Sequence, residues 1–259
     1  MNFRRVFVIA KNVFQEMVRD RILYIIGFYA LLLAIALRVL PEFAAATENK
    51  MFLDFGLGAM SIVTLIVAIF LGTGLVNKEI EKRTILVMIA KPVSRSEIIA
   101  GKFLGLSVVL AVLVMVMTVI YLGFLQIGNI SHSVLSILIA AVFLILQLSL
   151  ITAVAITFGV FTSSLLAVTL TFAVYLMGNI TPDLVNLGRL SNSPFIERIT
   201  QSLYLILPDL SRLDFKNDAV YGLPALPDTT VLISNVGYGL FYSVMLLAIA
   251  NFIFSRREF

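Results

Sequence analysis

The chain has 259 residues, of which 60% are hydrophobic and only 13% are charged, so it is too apolar for an ordinary soluble domain. It contains no cysteine, which excludes a disulfide framework, a thiolate metal site and a cysteine nucleophile. Its one histidine, His132, lies in a predicted loop, so one chain cannot form a multi-histidine metal site. The sequence predicts no cofactor and no metal. The net charge of +4 reflects membrane topology, and we expect no nucleic-acid partner.

The first 21 residues predict an amphipathic helix in the inner headgroup layer. Its apolar residues recur at helical spacing, and polar or basic residues take the other side. The apolar set is Phe3, Val6, Phe7, Ala10, Val13, Phe14 and Met17. A basic amphipathic helix directly before a membrane span is typical of a helix lying in the membrane surface. The alternative is a simple extension of the first span into the cytoplasm.

Six apolar runs follow, and an apolar run of about 20 residues is enough to cross a bilayer. The runs are Ile22–Leu40, Gly58–Val76, Phe103–Leu125, Val134–Phe161, Leu165–Ile180 and Val231–Phe254. Only Thr162, Ser163 and Ser164 separate the fourth run from the fifth, so a tight hairpin must join them. The sequence thus predicts an all-α integral membrane protein, with residues 1–259 forming a single transmembrane domain.

The second and third spans are joined by a polar insert, Asn77–Lys102. Residues 78–90 predict a helix that Pro92 breaks, because proline lacks the backbone donor and disfavours helix in the residue before it. Ser94 and Glu97 form a capping-box pattern, so a new helix is predicted to begin at Arg95 and continue into the third span. Two helices meeting at a proline corner predict a rigid cytoplasmic elbow.

The third span begins with a helix-packing motif. Gly101 and Gly105 open the third span in a G-x-x-x-G pattern, which permits a close helix approach, although glycine is also simply common in membrane helices.

Residues 181–228 form the one sizeable polar segment outside the insert. Within it, Ser193 and Pro194 predict a helix start, and the amphipathic helix that follows ends before Pro208.

The distribution of basic residues predicts the orientation. With a cytoplasmic N-terminus, 13 of the 19 Lys and Arg residues lie inside. Those outside are Arg38, Lys50, Arg189, Arg198, Arg212 and Lys216. Both termini are therefore predicted to be cytoplasmic.

The six runs contain little chemistry of their own. Arg38 is their only acidic or basic residue, whereas ion-coupled transporters usually carry ionisable groups near the midplane. The phosphate-binding pattern G-x-x-x-x-G-K-[ST] is absent, so we expect no ATP hydrolysis by that route and no enzyme activity. Energy for uphill transport would have to come from another subunit. Polar residues either join helices or line a translocation path, and the candidates are Gln147, Thr152, Thr157, Thr169 and Asn179.

The polar insert resembles that of the permease subunits of type-2 ATP-binding-cassette exporters. The resembling residues are N-K-E-I-E-K-R-T at Asn77–Thr84 and A-K-P-V-S-R-S-E-I-I-A-G-K at Ala90–Lys102. The six-span layout, the amphipathic first helix and the basic C-terminal tail are also similar to this family. Within the family, L-P-D-L-S-R-L-D-F at Leu207–Phe215 is similar to the subgroup that includes the nitrous-oxide-reductase maturation permease.

The resemblance implies a bacterial plasma-membrane exporter in which two permeases, identical or homologous, associate with two cytoplasmic ATPase subunits. The insert would act as the coupling helix, with the ATPase contacted by Glu79, Glu81, Lys82, Arg83 and Thr84, and with Pro92 and Arg95 in the elbow. The alternative for these charges is that they only keep the segment in water. The transported substrate is not implied.

A competing interpretation is a passive channel or a membrane scaffold without transport activity. A pore predicts a polar stripe at helical spacing along one span, and the sequence shows none. A scaffold would not need an elbow.

Overall fold

The structure is a computed structural model that describes residues 3–19, 22–43, 48–81, 94–190 and 194–256. These ranges contain α1 (Phe3–Arg19), α2 (Ile22–Phe43), α3 (Glu48–Glu81), α4 (Arg95–Ile127), α5 (Val134–Phe161), α6 (Ser164–Leu190), α7 (Pro194–Ile206), α8 (Lys216–Tyr221) and α9 (Thr229–Arg256). Two 3₁₀ turns cover Leu210–Leu213 and Leu223–Ala225. No residue in the described ranges lies in a strand, and the predicted all-α fold is confirmed.

Six of these helices, α2 to α6 and α9, are long and apolar enough to cross a membrane. They coincide with the six predicted spans. The tight hairpin is also confirmed, because only Thr162 and Ser163 separate α5 from α6. The amphipathic helix after Ser193 is confirmed as α7.

Helices α3 and α6 extend well beyond their apolar runs. Helix α3 begins at Glu48, ten residues before the predicted span, and α6 continues to Leu190, ten residues after it. At its other end α3 continues without a break to Glu81, so the first turn of the polar insert prolongs the second span. Hydropathy marks only the part of a helix that lies in hydrocarbon, whereas the backbone hydrogen bonds continue through polar residues. The rest of the predicted insert helix and its proline corner lie outside the described residues.

Helix α5 is the centre of the bundle. It has no charged residue and is apolar on all sides, as expected for a helix surrounded by other helices. It packs against α3, α4, α6 and α9, and Leu150, Ile151 and Ala153 are fully buried.

Two buried tyrosines hold the first half of α3 between α2 and α4. The Tyr29 hydroxyl donates to the Gly56 carbonyl over 3.1 Å, and the Tyr121 hydroxyl donates to the Leu53 carbonyl over 2.8 Å. The Tyr121 ring crosses directly over Gly56, where a Cβ would lie 2.2 Å from the ring carbon Cε2. Only a residue without a side chain fits at position 56.

We expect Gly56→Ala to destabilise the bundle. Its methyl group would meet a fully buried ring that hydrogen-bonds at its far end, and such overpacking costs about 1–3 kcal/mol. The thermal midpoint in detergent should fall by several degrees. The control is Gly58→Ala on the same helix, where a Cβ would meet nothing within 4 Å. Equal midpoints for the two variants would contradict the packing described.

Candidate functional site

Helix α1, the first turns of α4 and the last turn of α9 meet at one end of the bundle, which we call the terminal end. Here α1 packs along the beginning of α4. A Cβ on Gly101 would lie 2.7 Å from the Ile9 Cβ, and one on Gly105 would lie 2.8 Å from the Ala10 carbonyl oxygen. Both distances are too short for any side chain. The predicted close approach of a helix to Gly101 and Gly105 is therefore present, and the approaching helix is α1.

The apolar residues of α1 divide between two directions. Val6 and Val13 are buried with exposed fractions of 3% and 6%, whereas Phe3 and Phe7 are 82% and 70% exposed. One part of the apolar face thus packs against α4, and the phenylalanines are free to enter a lipid surface. The sequence predicted a single lipid-facing surface, because periodicity alone does not distinguish lipid from a packed helix.

Glu97 is a nearly buried carboxylate in the first turn of α4. Its Oε2 atom accepts from the Ser94 backbone N–H over 3.1 Å, and the Ser94 hydroxyl accepts from the Glu97 N–H over 3.3 Å. This confirms the predicted capping box. An Arg5 Nη1 atom of α1 lies 3.8 Å from the same Oε2 atom. The carboxylate therefore both starts α4 and joins it to α1.

Lys102, the residue directly after Gly101, is buried, with an exposed fraction of 3%. Its ammonium donates to the Leu75 carbonyl of α3 over 2.6 Å. A buried ammonium is costly unless it is hydrogen-bonded, so this bond favours one arrangement of α3 against α4.

Arg95, the first residue of α4, contacts the end of α9. Its guanidinium donates to the Phe254 and Ser255 carbonyls, the latter over 3.1 Å, and lies 5.6 Å from the centre of the Phe254 ring. A cation at the last carbonyls of a helix is favourable because it satisfies unpaired acceptors and opposes the helix dipole. Arg95 therefore has a role within the chain, whether or not it also meets a partner.

Together these side chains form a terminal hub, which we define as Arg5, Arg95, Glu97 and Lys102. The hub joins the start of α4 to α1, α3 and α9. Among the other predicted coupling residues, Glu79 and Glu81 belong to the last turn of α3. The remaining ones lie outside the described residues; these are Lys82, Arg83, Thr84 and Pro92.

Two of the candidate path residues meet in the bundle. The amide nitrogen of Gln147 on α5 donates to the Asn179 Oδ1 atom on α6 over 3.3 Å, and to the Leu210 carbonyl over 3.4 Å. Asn179 in turn donates to the Tyr175 carbonyl over 2.8 Å. These bonds connect α5, α6 and the 3₁₀ turn that follows α7.

The three threonines do not gather at this place. Thr152 is buried and donates to the Leu148 carbonyl of its own helix. Thr157 donates to the Ala153 carbonyl and also to the Leu246 carbonyl of α9, over 2.7 and 3.2 Å. Thr169 lies on the exposed surface of α6 and donates to its own helix. A path shared by all five candidates is not formed within this arrangement of the chain and remains a prediction.

A small cavity of about 10 Å³ adjoins Gln147, Ser61 and the Asp214–Lys216 segment. This volume holds about one water molecule. The cavity is too small for a transported solute in this conformation.

The segment Leu207–Phe215 closes the bundle at the end opposite the termini. Leu210 and Leu213 are buried. A Cβ on Gly178 would lie 2.7 Å from the Pro208 carbonyl oxygen, so the segment lies directly on α6. The Phe215 ring meets the Phe143 ring of α5 edge-on at 4.6 Å.

A polar network holds this segment to α9. Arg212 Nε donates to Asp209 over 3.0 Å, and the Asp209 backbone N–H donates to the Tyr238 hydroxyl over 2.7 Å. Arg212 also donates to the Tyr204 hydroxyl over 3.0 Å. The hydrogen bond to Asp209 raises the pKa of Arg212. The sequence indicated this stretch only as a subgroup likeness. Its leucines at every third position, Leu207, Leu210 and Leu213, were the available signal of burial.

The described residues contain no group of three or more His, Asp or Glu side chains that could hold a metal ion.

A family model for the ABC-2 family transporter protein matches residues 7–259. The chain belongs to the ABC-2 transporter family. The match includes most of α1 and everything after it, which confirms the resemblance found in the polar insert. The subgroup likeness at Leu207–Phe215 remains a prediction. No curated protein matches the chain.

The family and the six apolar helices make the chain a multi-pass membrane protein and a transport subunit, and the family implies an ATP-binding partner. Within this ABC-2 chain, the terminal hub includes residues at the end of the polar insert, namely Arg95, Glu97 and Lys102.

Proposed function

We propose that the chain is the permease subunit of an ATP-driven exporter, and that separate ATPase subunits act on its polar insert. Membership of the ABC-2 family supports this proposal. So does the sequence, which lacks a phosphate-binding loop. The energy source must then be a partner, because the apolar runs carry Arg38 as their one acidic or basic residue.

The terminal hub is the observation that carries the proposed coupling. The polar insert leads directly from α3 into α4, and the first two turns of α4 are bonded to α1, α3 and α9. A displacement applied to the insert would therefore move four helices together. A flexible connection at the start of α4 would instead absorb the displacement.

We propose that the translocation path forms between two permease copies, identical or homologous, each associated with one ATPase subunit. The small cavity beside Gln147 supports this, because one chain in this arrangement leaves room for about one water molecule. Gln147, Asn179, Thr152 and Thr157 would face the path after rearrangement, and Thr169 already lies on the exposed surface of α6.

The orientation we propose is that of a bacterial plasma-membrane protein with both termini in the cytoplasm. The excess of basic residues at the terminal end supports it. Reporter fusions after Lys91 and after Tyr221 should report opposite sides of the membrane, with the Lys91 fusion cytoplasmic. If both fusions report the same side, the proposed topology is wrong.

Site-specific photo-crosslinking tests the coupling function directly. A photo-reactive amino acid in place of Arg83 should capture an ATPase subunit in native membranes. Mass spectrometry should identify the captured protein, and its sequence should contain a phosphate-binding loop. The same amino acid at Tyr221, at the opposite end of the bundle, is the matched control and should capture none. Capture at Tyr221 and not at Arg83 would place the ATPase at the other end, and capture at neither would contradict the proposed partner.

A further inference from the structure

Arg38 is a cation near the end of α2 that is opposite the termini. It is the one acidic or basic residue in the six apolar runs. Its side chain is exposed, and it makes no hydrogen bond or ion pair with another described residue, including Glu42 one turn later. A cation in this position requires a partner or water, because an uncompensated charge in a membrane helix is costly.

A groove of about 450 Å³ adjoins Arg38 between the ends of α2, α3 and α4. Leu37, Phe52 and Ile127 contribute apolar walls, and Asn49 adds one neutral amide. Among the described lining residues, Arg38 is the one charged group and none is acidic. The groove therefore combines apolar walls with a single positive charge.

This combination matches one class of ligand. Apolar walls accommodate an acyl chain, and a guanidinium binds the oxygens of a phosphate through paired charge-assisted hydrogen bonds. A zwitterionic lipid would bring its own cation near Arg38, whereas an anionic lipid would neutralise it. Basic pockets between membrane helices bind anionic headgroups for this reason.

We infer that the groove binds one anionic glycerophospholipid, with the phosphate on Arg38 and an acyl chain along Leu37 and Ile127. The bound lipid seals the junction of α2, α3 and α4 at this end of the bundle. The site is independent of the coupling proposed above, since it lies at the opposite end from the terminal hub.

Native mass spectrometry of the full chain tests the inference. The protein is purified in detergent with equal amounts of phosphatidylglycerol and phosphatidylcholine. The wild type should retain one phosphatidylglycerol in preference to phosphatidylcholine by about tenfold, the contribution of one charge-assisted contact. Arg38→Gln should abolish the preference, and Arg38→Lys should keep part of it. Arg198→Gln removes an exposed cation on α7, outside the groove, and should change nothing.

A second variant tests the groove apart from the charge. Ile127→Trp places a large ring in the groove from an exposed wall position, so it should lower the retention of both lipids. Circular dichroism should show that the variant keeps its fold.

Equal retention of the two lipids by the wild type would overturn the inference. An undiminished preference in Arg38→Gln would also overturn it. Displacement of phosphatidylglycerol by inorganic phosphate would show a free-anion site in place of a lipid site.

Discussion

Reversal of Glu79 and Glu81 to lysine is expected to lower co-purification of the ATPase subunit by about tenfold or more. The subunit is the one captured by crosslinking at Arg83. Carboxylates at an interface accept charge-assisted hydrogen bonds, each contributing about 1.5–3 kcal/mol when shielded from water. Lysine in their place abolishes those bonds and repels basic groups of the partner. Since about 1.4 kcal/mol corresponds to a tenfold change in affinity, loss of one bond suffices.

The matched control reverses two exposed acids at the other end of the bundle, Glu42 and Asp183. It changes the net charge by the same amount and should leave ATPase binding intact. Asp214 is less suitable, because it pairs with Lys216 and its reversal would disturb α8. If the control variant loses the ATPase and the Glu79 and Glu81 variant keeps it, the coupling surface lies at the opposite end.

Substitution of Gly105 by leucine is expected to release α1 from the bundle. Its Cβ would lie 2.8 Å from both the Ala10 carbonyl oxygen and the Val13 Cβ. Because a helix backbone cannot yield as a flexible side chain does, α1 must move away. The cost of such overpacking is about 1–3 kcal/mol, which corresponds to about a 5- to 150-fold change in the detached population.

The natural absence of cysteine makes this release measurable. Val13→Cys introduces a single thiol at a position that is 6% exposed. A water-soluble maleimide should label it slowly in the otherwise unchanged chain and at least about fivefold faster with Gly105→Leu added. Gly27→Leu is the control, because a Cβ at Gly27 meets nothing within 4 Å. If labelling is unchanged by Gly105→Leu, Gly105 does not carry the contact between α1 and α4.

Much of the fold follows from local sequence signals. A long apolar run in a bilayer has to be helical, because every backbone group must be hydrogen-bonded within the segment. The capping box at Ser94 and the start of α7 at Pro194 were likewise predicted, since both depend on neighbouring residues. The exact ends of α3 and α6 were not predicted, because helix continues through polar residues once hydrogen bonding is established.

The candidate site was predictable only in part. The sequence indicated Glu97 as a capping residue and Lys102 as one basic residue among six in the insert. It did not indicate that Glu97 meets Arg5, or that Lys102 meets the Leu75 carbonyl. These partners are about 90 and 27 residues away, beyond the reach of any local pattern. Similarly, Gln147 and Asn179 were selected as polar groups in apolar spans, and their contact became evident only from packing.

The sequence by itself determined the class of this protein: its six apolar helices, its basic asymmetry and the family of its polar insert. Hydropathy, charge and motif spacing are properties of contiguous residues, so they can be determined without a fold. The tertiary structure decided which helices touch. It showed that α1 packs against the glycines of α4 and that the leucines of the 3₁₀ segment are buried among α5, α6 and α9. It also showed that Arg95 donates hydrogen bonds to carbonyls at the end of α9. Those contacts join residues far apart in the chain, because close packing selects partners by shape and by hydrogen bonds that must be satisfied away from water.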